Sequence, residues 1–187
     1  MLIPTLLLAL ATADSLPLPA DHVVNPDFDT NTSFWQFHLT QGANLNWDAT
    51  RGDPALGSAH VSNTWNHASF DYFSQCVTLQ PGSFEVDAQV ASQLQALNKC
   101  EVRVDVVDQP DCNISAKILL EVKGHNTLND GSFETVMVTG VAPTGSGAAA
   151  IFIGHVRDDA AAIASSECWF DHVGFAGDLV FAGSFDP

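Results

Sequence analysis

Polar and apolar side chains alternate along much of the chain, and the alternation has a period of two. The clearest case is 83–91, where Phe84, Val86, Ala88 and Val90 fall on one side and Glu85, Asp87 and Gln89 on the other. That spacing predicts a half-buried strand. The segment 101–107 repeats it, with Val102, Val104 and Val106 on the inner side. Further strand-like runs cover 58–62, 68–79, 117–122, 133–141, 148–156 and 168–175.

Turn chemistry separates these runs. Pro81-Gly82 closes one of them, and Asp108-Gln109-Pro110-Asp111 closes another. No segment keeps a helical stripe over three turns; Ala160 to Ala164 has room for one turn of helix in a loop. About eight short strands joined by Gly, Pro, Asn and Asp predict an all-β fold, a β-sandwich of the jelly-roll kind.

Composition narrows the partners. Six Lys and Arg stand against 22 Asp and Glu, for a net charge of -16 in 187 residues. Six scattered cations assemble no basic face, so nucleic acid and anionic membranes are excluded as expected partners. The first 13 residues, MLIPTLLLALATA, combine a short apolar run with small residues at its end, which predicts a signal peptide cleaved before Asp14. Residues 14–22 then form a linker, 23–176 the domain and 177–187 a C-terminal tail. The expected location is secreted, extracellular.

Four cysteines, Cys76, Cys100, Cys112 and Cys168, suit an exported, disulfide-bonded chain; there is no C-x-x-C, and three pairings are open. Asn31-Thr32-Ser33 and Asn113-Ile114-Ser115 are glycosylation sequons, which carry meaning in a eukaryotic secretory pathway.

Five short motifs in order carry a family resemblance. They are Asn25-Pro26-Asp27-Phe28-Asp29 followed by Trp35, then Gly57-Ser58-Ala59-His60-Val61, then Ser74-Gln75-Cys76-Val77 with Pro81-Gly82, then Ala142-Pro143-Thr144-Gly145, and finally Phe170-Asp171-His172-Val173. Together they resemble the galactose-binding-like jelly-roll carbohydrate-binding modules over nearly the whole chain after residue 22. The chain departs from the pattern at His172, where a second Asp is usual, and at Asp29, where Glu is usual. The resemblance implies a jelly roll that binds a glycan. Its strand order brings Cys76 and Cys112 to one end, favouring a Cys76–Cys112 bridge and leaving Cys100–Cys168.

The resemblance also implies a structural Ca²⁺ held by Asp171 and Asp29, with Asp27 as a third ligand. By period two, Trp169, Asp171, Val173 and Phe175 share one face, and a carboxylate in that apolar row needs a partner. The alternative is an Asp that accepts backbone N–H groups.

Sugar sites set an aromatic face against the C–H face of a pyranose ring, with amides and carboxylates for its hydroxyls. Trp65 and Trp47 stand in polar surroundings that read as loops, and are the expected platforms; Asn63, Asn66, His67 and Asp48 are their expected polar partners. The competing reading has each Trp capping the core. Trp35 and Trp169 read as packed. No G-x-S-x-G, H-E-x-x-H or phosphate loop is present. Glu85, Glu121 and Glu134 are the carboxylates from which a glycosidase pair would be drawn. The reading is a secreted, non-catalytic module for a neutral glycan. An adhesive sandwich without a sugar site is the alternative, followed by a glycoside hydrolase or polysaccharide lyase.

Overall fold

A computed structural model describes residues 23–64, 68–94, 98–113, 115–157 and 165–177. The expected signal peptide, the linker, the single helical turn at 160–164 and the tail beyond Gly177 lie outside these residues. Among the described residues every regular element is a strand. In chain order they are β1 (Gln36–His38), β2 (Ala43–Asp48), β3 (Ser58–Asn63), β4 (Ser69–Thr78), β5 (Gly82–Gln93), β6 (Asn98–Val107), β7 (Ile118–His125), β8 (Glu134–Ala142), β9 (Ala148–Arg157) and β10 (Ser166–Gly177).

They form two five-stranded antiparallel sheets. The first has the order β1-β4-β9-β6-β7 and the second β2-β3-β10-β5-β8. Their inner faces pack Phe73, Val102, Ile151 and Ile153 against Val61, Val86, Val90 and Phe170, all essentially inaccessible to water. The valine-rich alternation of β5 and β6 supplies this core, since β-branched side chains fill a half-buried pleated face well. The fold is the expected β-sandwich jelly roll.

Two expectations about strands are corrected. The segment around Trp47 is not a loop but edge strand β2, with Leu45 and Trp47 packed toward the core and the residues between them facing out. Its three polar outward residues, Asn44, Asn46 and Asp48, are poor strand formers, and they hid the alternation. The second correction concerns the apolar row of β10. Asp171 pairs with Gln89 and Gly174 with Asp87, so one extra residue is inserted, and His172 takes φ 46°. This β-bulge shifts the period. Trp169 and Asp171 therefore lie on the outer face of the second sheet, while Val173 and Phe175 turn inward.

Disulfides join Cys76 to Cys112 and Cys100 to Cys168. Cys100 and Cys168 are fully buried and tie the two sheets through the core. Cys76 faces outward on β4 and draws the β6–β7 loop, 108–117, toward it. The chain entering β1 lies against the sandwich, with Phe28 fully buried beside Trp35 at 5.3 Å between ring centroids. Gly57 permits that approach, since a Cβ there would stand 2.6 Å from the Phe28 carbonyl oxygen.

Candidate functional site

Strand alternation places Phe70, Tyr72 and Ser74 of β4 and Ala150 and Phe152 of β9 on the outer face of the first sheet. The rings form one group: Phe70 and Tyr72 at 4.7 Å, Tyr72 and Phe152 edge to face at 5.0 Å, and His38 of β1 stacked on Tyr72 at 5.2 Å. Beside it the surface sinks into a cleft of about 680 Å³, within the usual range of small-ligand sites. On central strand β9 the small Ala150 lines it next to Phe152. One side is walled by Asp111, Cys112, Asn113 and Ala116 of the β6–β7 loop, the other by Val24, Phe34 and Gln36.

That wall is built locally. Lys117 N donates to Asp108 Oδ1 at 2.8 Å, and Asn113 Nδ2 donates to Gln109 Oε1 and Asp111 Oδ1 at 2.9 and 2.7 Å. The Cys76–Cys112 bond then fastens it to β4, and both half-cystines line the cleft.

The charges near the aromatic group are already paired. Arg103 donates from Nε and Nη2 to the two oxygens of Asp105 at 2.8 and 2.5 Å, and Nη2 lies 2.9 Å from Glu121. Its guanidinium sits 5.3 Å from the Phe152 ring centroid. The Asp105 hydrogen bond holds the Arg103 pKa above its ordinary value. Next to these compensated ions, the Gln36 amide and the Tyr72 and Ser74 hydroxyls have no hydrogen-bond partner among the described residues. Uncharged donors and acceptors beside an aromatic face match the chemistry of a sugar ring.

The outer face of the second sheet is covered at the end where Cys168 is joined to Cys100, away from the Cys76–Cys112 end that holds the cleft. Arg51, in the β2–β3 loop, lays its guanidinium 3.8 Å over the Trp169 indole and donates from Nη2 to the Gly131 carbonyl at 2.5 Å. His60 stacks on the same indole at 4.9 Å. Two loops thus meet over Trp169, which is 4% exposed. Burial lowers the His60 pKa, against the opposing pull of Glu167 and Asp48.

The site residues expected from sequence are distributed differently. Trp65, Asn66 and His67 lie outside the described residues. Asn63 is fully buried and donates to Asp71 Oδ2 at 2.5 Å and Ser69 Oγ at 3.1 Å, so it is an internal tie between β3 and β4. Trp47 is partly buried, and its Nε1 donates to the Phe28 carbonyl at 2.6 Å. Asp48 accepts from Thr50 N and Oγ1 and from Trp169 Nε1. Burial would raise its pKa, but these hydrogen bonds outweigh it and hold it low. Trp47 and Asp48 thus serve the fold with the groups expected to meet a ligand. Glu121 belongs to the first sheet, and Glu85 and Glu134, on neighbouring strands of the second, stand five residues apart in register (Glu85 opposite Thr139, Glu134 opposite Val90), so no two of them are adjacent. Glu134 is spent on the Thr127 and Leu128 amides.

Asp171 is 1% exposed, and its oxygens accept the Asp53 and His172 amides at 2.7 and 2.8 Å. Burial nevertheless pushes its pKa up to about 6, helped by the negative charges of Asp27 and Asp29. Asp27 in turn lies 2.7 Å from His172 Nδ1, a contact that raises the His172 pKa. Among the described residues no three His, Cys, Asp or Glu side chains converge closely enough to hold a metal.

The cleft residues Gln36, Tyr72, Ser74 and Phe152 escaped the sequence reading. Their signal was a strand with aromatic residues on both faces, Phe70 and Tyr72 against Phe73, which reads as simply hydrophobic.

No protein-family model matches the chain, and no curated protein matches it. Solved structures do. The CBM22-1 xylan-binding domain of Paenibacillus barcinonensis Xyn10C is 13% identical, with TM-score 0.55 over 80% of this chain and 89% of that one. The CBM22-1–GH10 modules of Clostridium thermocellum Xyn10B, complexed with xylohexaose, give 16% identity and TM-score 0.59 over 84% of this chain and 29% of theirs. TmCBM61 in complex with β-1,4-galactotriose gives 13% and 0.51 over 84% and 99%. At these identities the likeness establishes the fold, that of jelly-roll carbohydrate-binding modules.

Proposed function

We propose that this chain is a secreted, non-catalytic module that binds a neutral glycan in the cleft on the first sheet. One observation carries the reading: an aromatic group, Tyr72 with Phe152, borders a cleft in which the uncharged Gln36, Tyr72 and Ser74 side chains have no hydrogen-bond partner among the described residues. Such a surface offers stacking and hydroxyl exchange without a cation for a uronic acid. The fold it shares with xylan- and galactotriose-binding modules supports the same ligand class. Two disulfides suit an oxidising compartment.

A glycan array tests this with wild type, Tyr72→Ala and Trp65→Ala. Binding of a neutral oligosaccharide that Tyr72→Ala loses supports the cleft. Loss in Trp65→Ala alone moves the site to the β3–β4 loop, with Asn66 and His67 as its polar partners. No binding by wild type leaves the adhesive reading. Release of reducing sugar or unsaturated product would make the chain an enzyme.

The calcium reading belongs to the same proposal. Asp171, Asp27 and Asp29 are oxygen donors, the kind Ca²⁺ takes, though their side chains do not converge into a three-ligand set here, so an ion would have to draw them together. Their mutual repulsion at a buried carboxyl is a charge that a cation would offset. Without an ion, Asp171 still anchors two backbone amides at the bulge. A thermal midpoint that is the same in EDTA and in added Ca²⁺ removes the ion from the account.

A further inference from the structure

The turn leading into β1 holds a phenylalanine where turn geometry calls for glycine. Trp35 N donates to the Thr32 carbonyl at 3.2 Å, closing a four-residue turn whose third residue, Phe34, has φ 73°. That φ is what the third position of a type II turn requires, and Gly or Asn is the usual occupant because a larger side chain is crowded there. A bulky residue with positive φ is an outlier.

The surroundings hold the turn in place. Asn31 Oδ1 accepts the Ser33 amide at 2.7 Å, and Asn25 Nδ2 donates to the carbonyls of Asn31 and Ser33 at 2.8 and 3.2 Å. Trp35 is buried against Phe28, and its Nε1 donates to the Asn25 carbonyl at 3.2 Å. On the far side, Gln75 Nε2 donates to the Phe34 carbonyl at 3.4 Å and to the Val24 carbonyl at 2.9 Å. The backbone at residue 34 is therefore set by its neighbours, and the Phe34 ring takes no part in setting it.

Packing does not account for the ring. Phe34 is 73% exposed, yet it lines the cleft together with Gln36 and Tyr72. An apolar ring that is exposed, strained and on the lip of a cleft contributes little to the fold. We infer that Phe34 is a ligand contact: a second apolar surface that closes on a sugar ring lying against Tyr72. Backbone strain of this kind persists where surrounding structure over-determines it, and it clusters at ligand clamps. The assignment rests on the cleft being the glycan site.

The test uses titration calorimetry with xylohexaose, cellohexaose and β-1,4-galactotriose on wild type, Phe34→Ala, Phe34→Gly and Tyr72→Ala, with a thermal melt of each. Phe34→Ala and Phe34→Gly are expected to lose at least about tenfold in affinity for whichever probe wild type binds. Phe34→Gly is also expected to melt no lower than wild type and up to roughly 4 °C higher, because glycine relieves the strain. Binding by Phe34→Gly at the wild-type level, with Tyr72→Ala impaired, overturns the assignment and leaves the cleft reading standing. A Phe34→Gly midpoint several degrees below wild type also overturns it, since the ring is then a packing group. If wild type binds none of the probes, the cleft reading falls and the Phe34 assignment with it.

Discussion

Tyr72 and Phe152, on neighbouring strands β4 and β9, meet edge to face at 5.0 Å with an interplanar angle of 87°. Both face outward, away from a core that already holds Phe73 and Ile151 on the alternate positions of the same strands. The pair gives the first sheet an apolar outer surface where a solvated sheet would carry polar groups. Its place beside the cleft makes it the centre of the proposed site.

Removing one ring of that pair should separate binding from folding. Tyr72→Ala is expected to weaken oligosaccharide binding about tenfold, or ~1.4 kcal/mol, the size of an aromatic contact. The far-ultraviolet spectrum should stay unchanged, because the ring is partly solvated. Calorimetry and circular dichroism check the two halves; unchanged affinity would take Tyr72 out of the site.

Arg51→Ala should uncover Trp169. The cation–π contact and the Gly131 hydrogen bond are lost together, at an expected cost of about 1–2 kcal/mol. The direct readout is a red shift and stronger iodide quenching of tryptophan fluorescence. An emission unchanged from wild type would mean that the two loops stay closed without the arginine.

The buried His155 predicts acid sensitivity. It lies opposite Asp71 in the β4–β9 register and two residues from Arg157, and neither ring nitrogen has a partner among the described residues. Burial lowers its pKa to about 4, although Asp71 pulls the other way. The folded pKa is thus below the ordinary 6.5, and the unfolded chain binds more protons between those values. The contribution is fully present above pH 6.5 and is lost as pH falls toward 4, on the order of 3 kcal/mol in all. His155→Leu should flatten that part of the urea-stability profile between pH 4 and 6.5. A profile with the wild-type slope would assign the acid sensitivity elsewhere.

The disulfides should differ in reactivity. Cys100 and Cys168 are fully buried, while Cys76 and Cys112 line the cleft. Graded dithiothreitol followed by alkylation and peptide mapping should label Cys76 and Cys112 first. Both bridges enclose long loops and each is expected to contribute about 4 kcal/mol. Reduction of the exposed bridge should loosen the 108–117 wall and weaken oligosaccharide binding before the chain unfolds. Simultaneous labelling of all four cysteines would show that the exposed bridge has no separate reactivity.

The fold was legible in the sequence because its signal is local. Val102, Val104 and Val106, or Phe84 through Val90, state by their spacing alone which side is buried. Residues such as Asn44, Asn46 and Asp48 blurred that signal, and so Trp47 looked like a loop residue when it belongs to edge strand β2. The site was less legible. Phe70 and Tyr72 alternate as regularly as any core residues, and nothing in β4 alone says that its other face already fills the core.

By itself the sequence determined the class of fold, the acidic composition, and a cysteine set suited to two bridges. These follow from composition and short-range periodicity. The tertiary structure decided where the cleft stands, because that depends on Cys112 reaching Cys76 beside the first sheet. It also decided that Asp171 faces out from its sheet, through one inserted residue at His172, and that Phe34 stands on the cleft's lip. A single bulge or turn reverses where a side chain points, and its effect is read only against the strands packed around it.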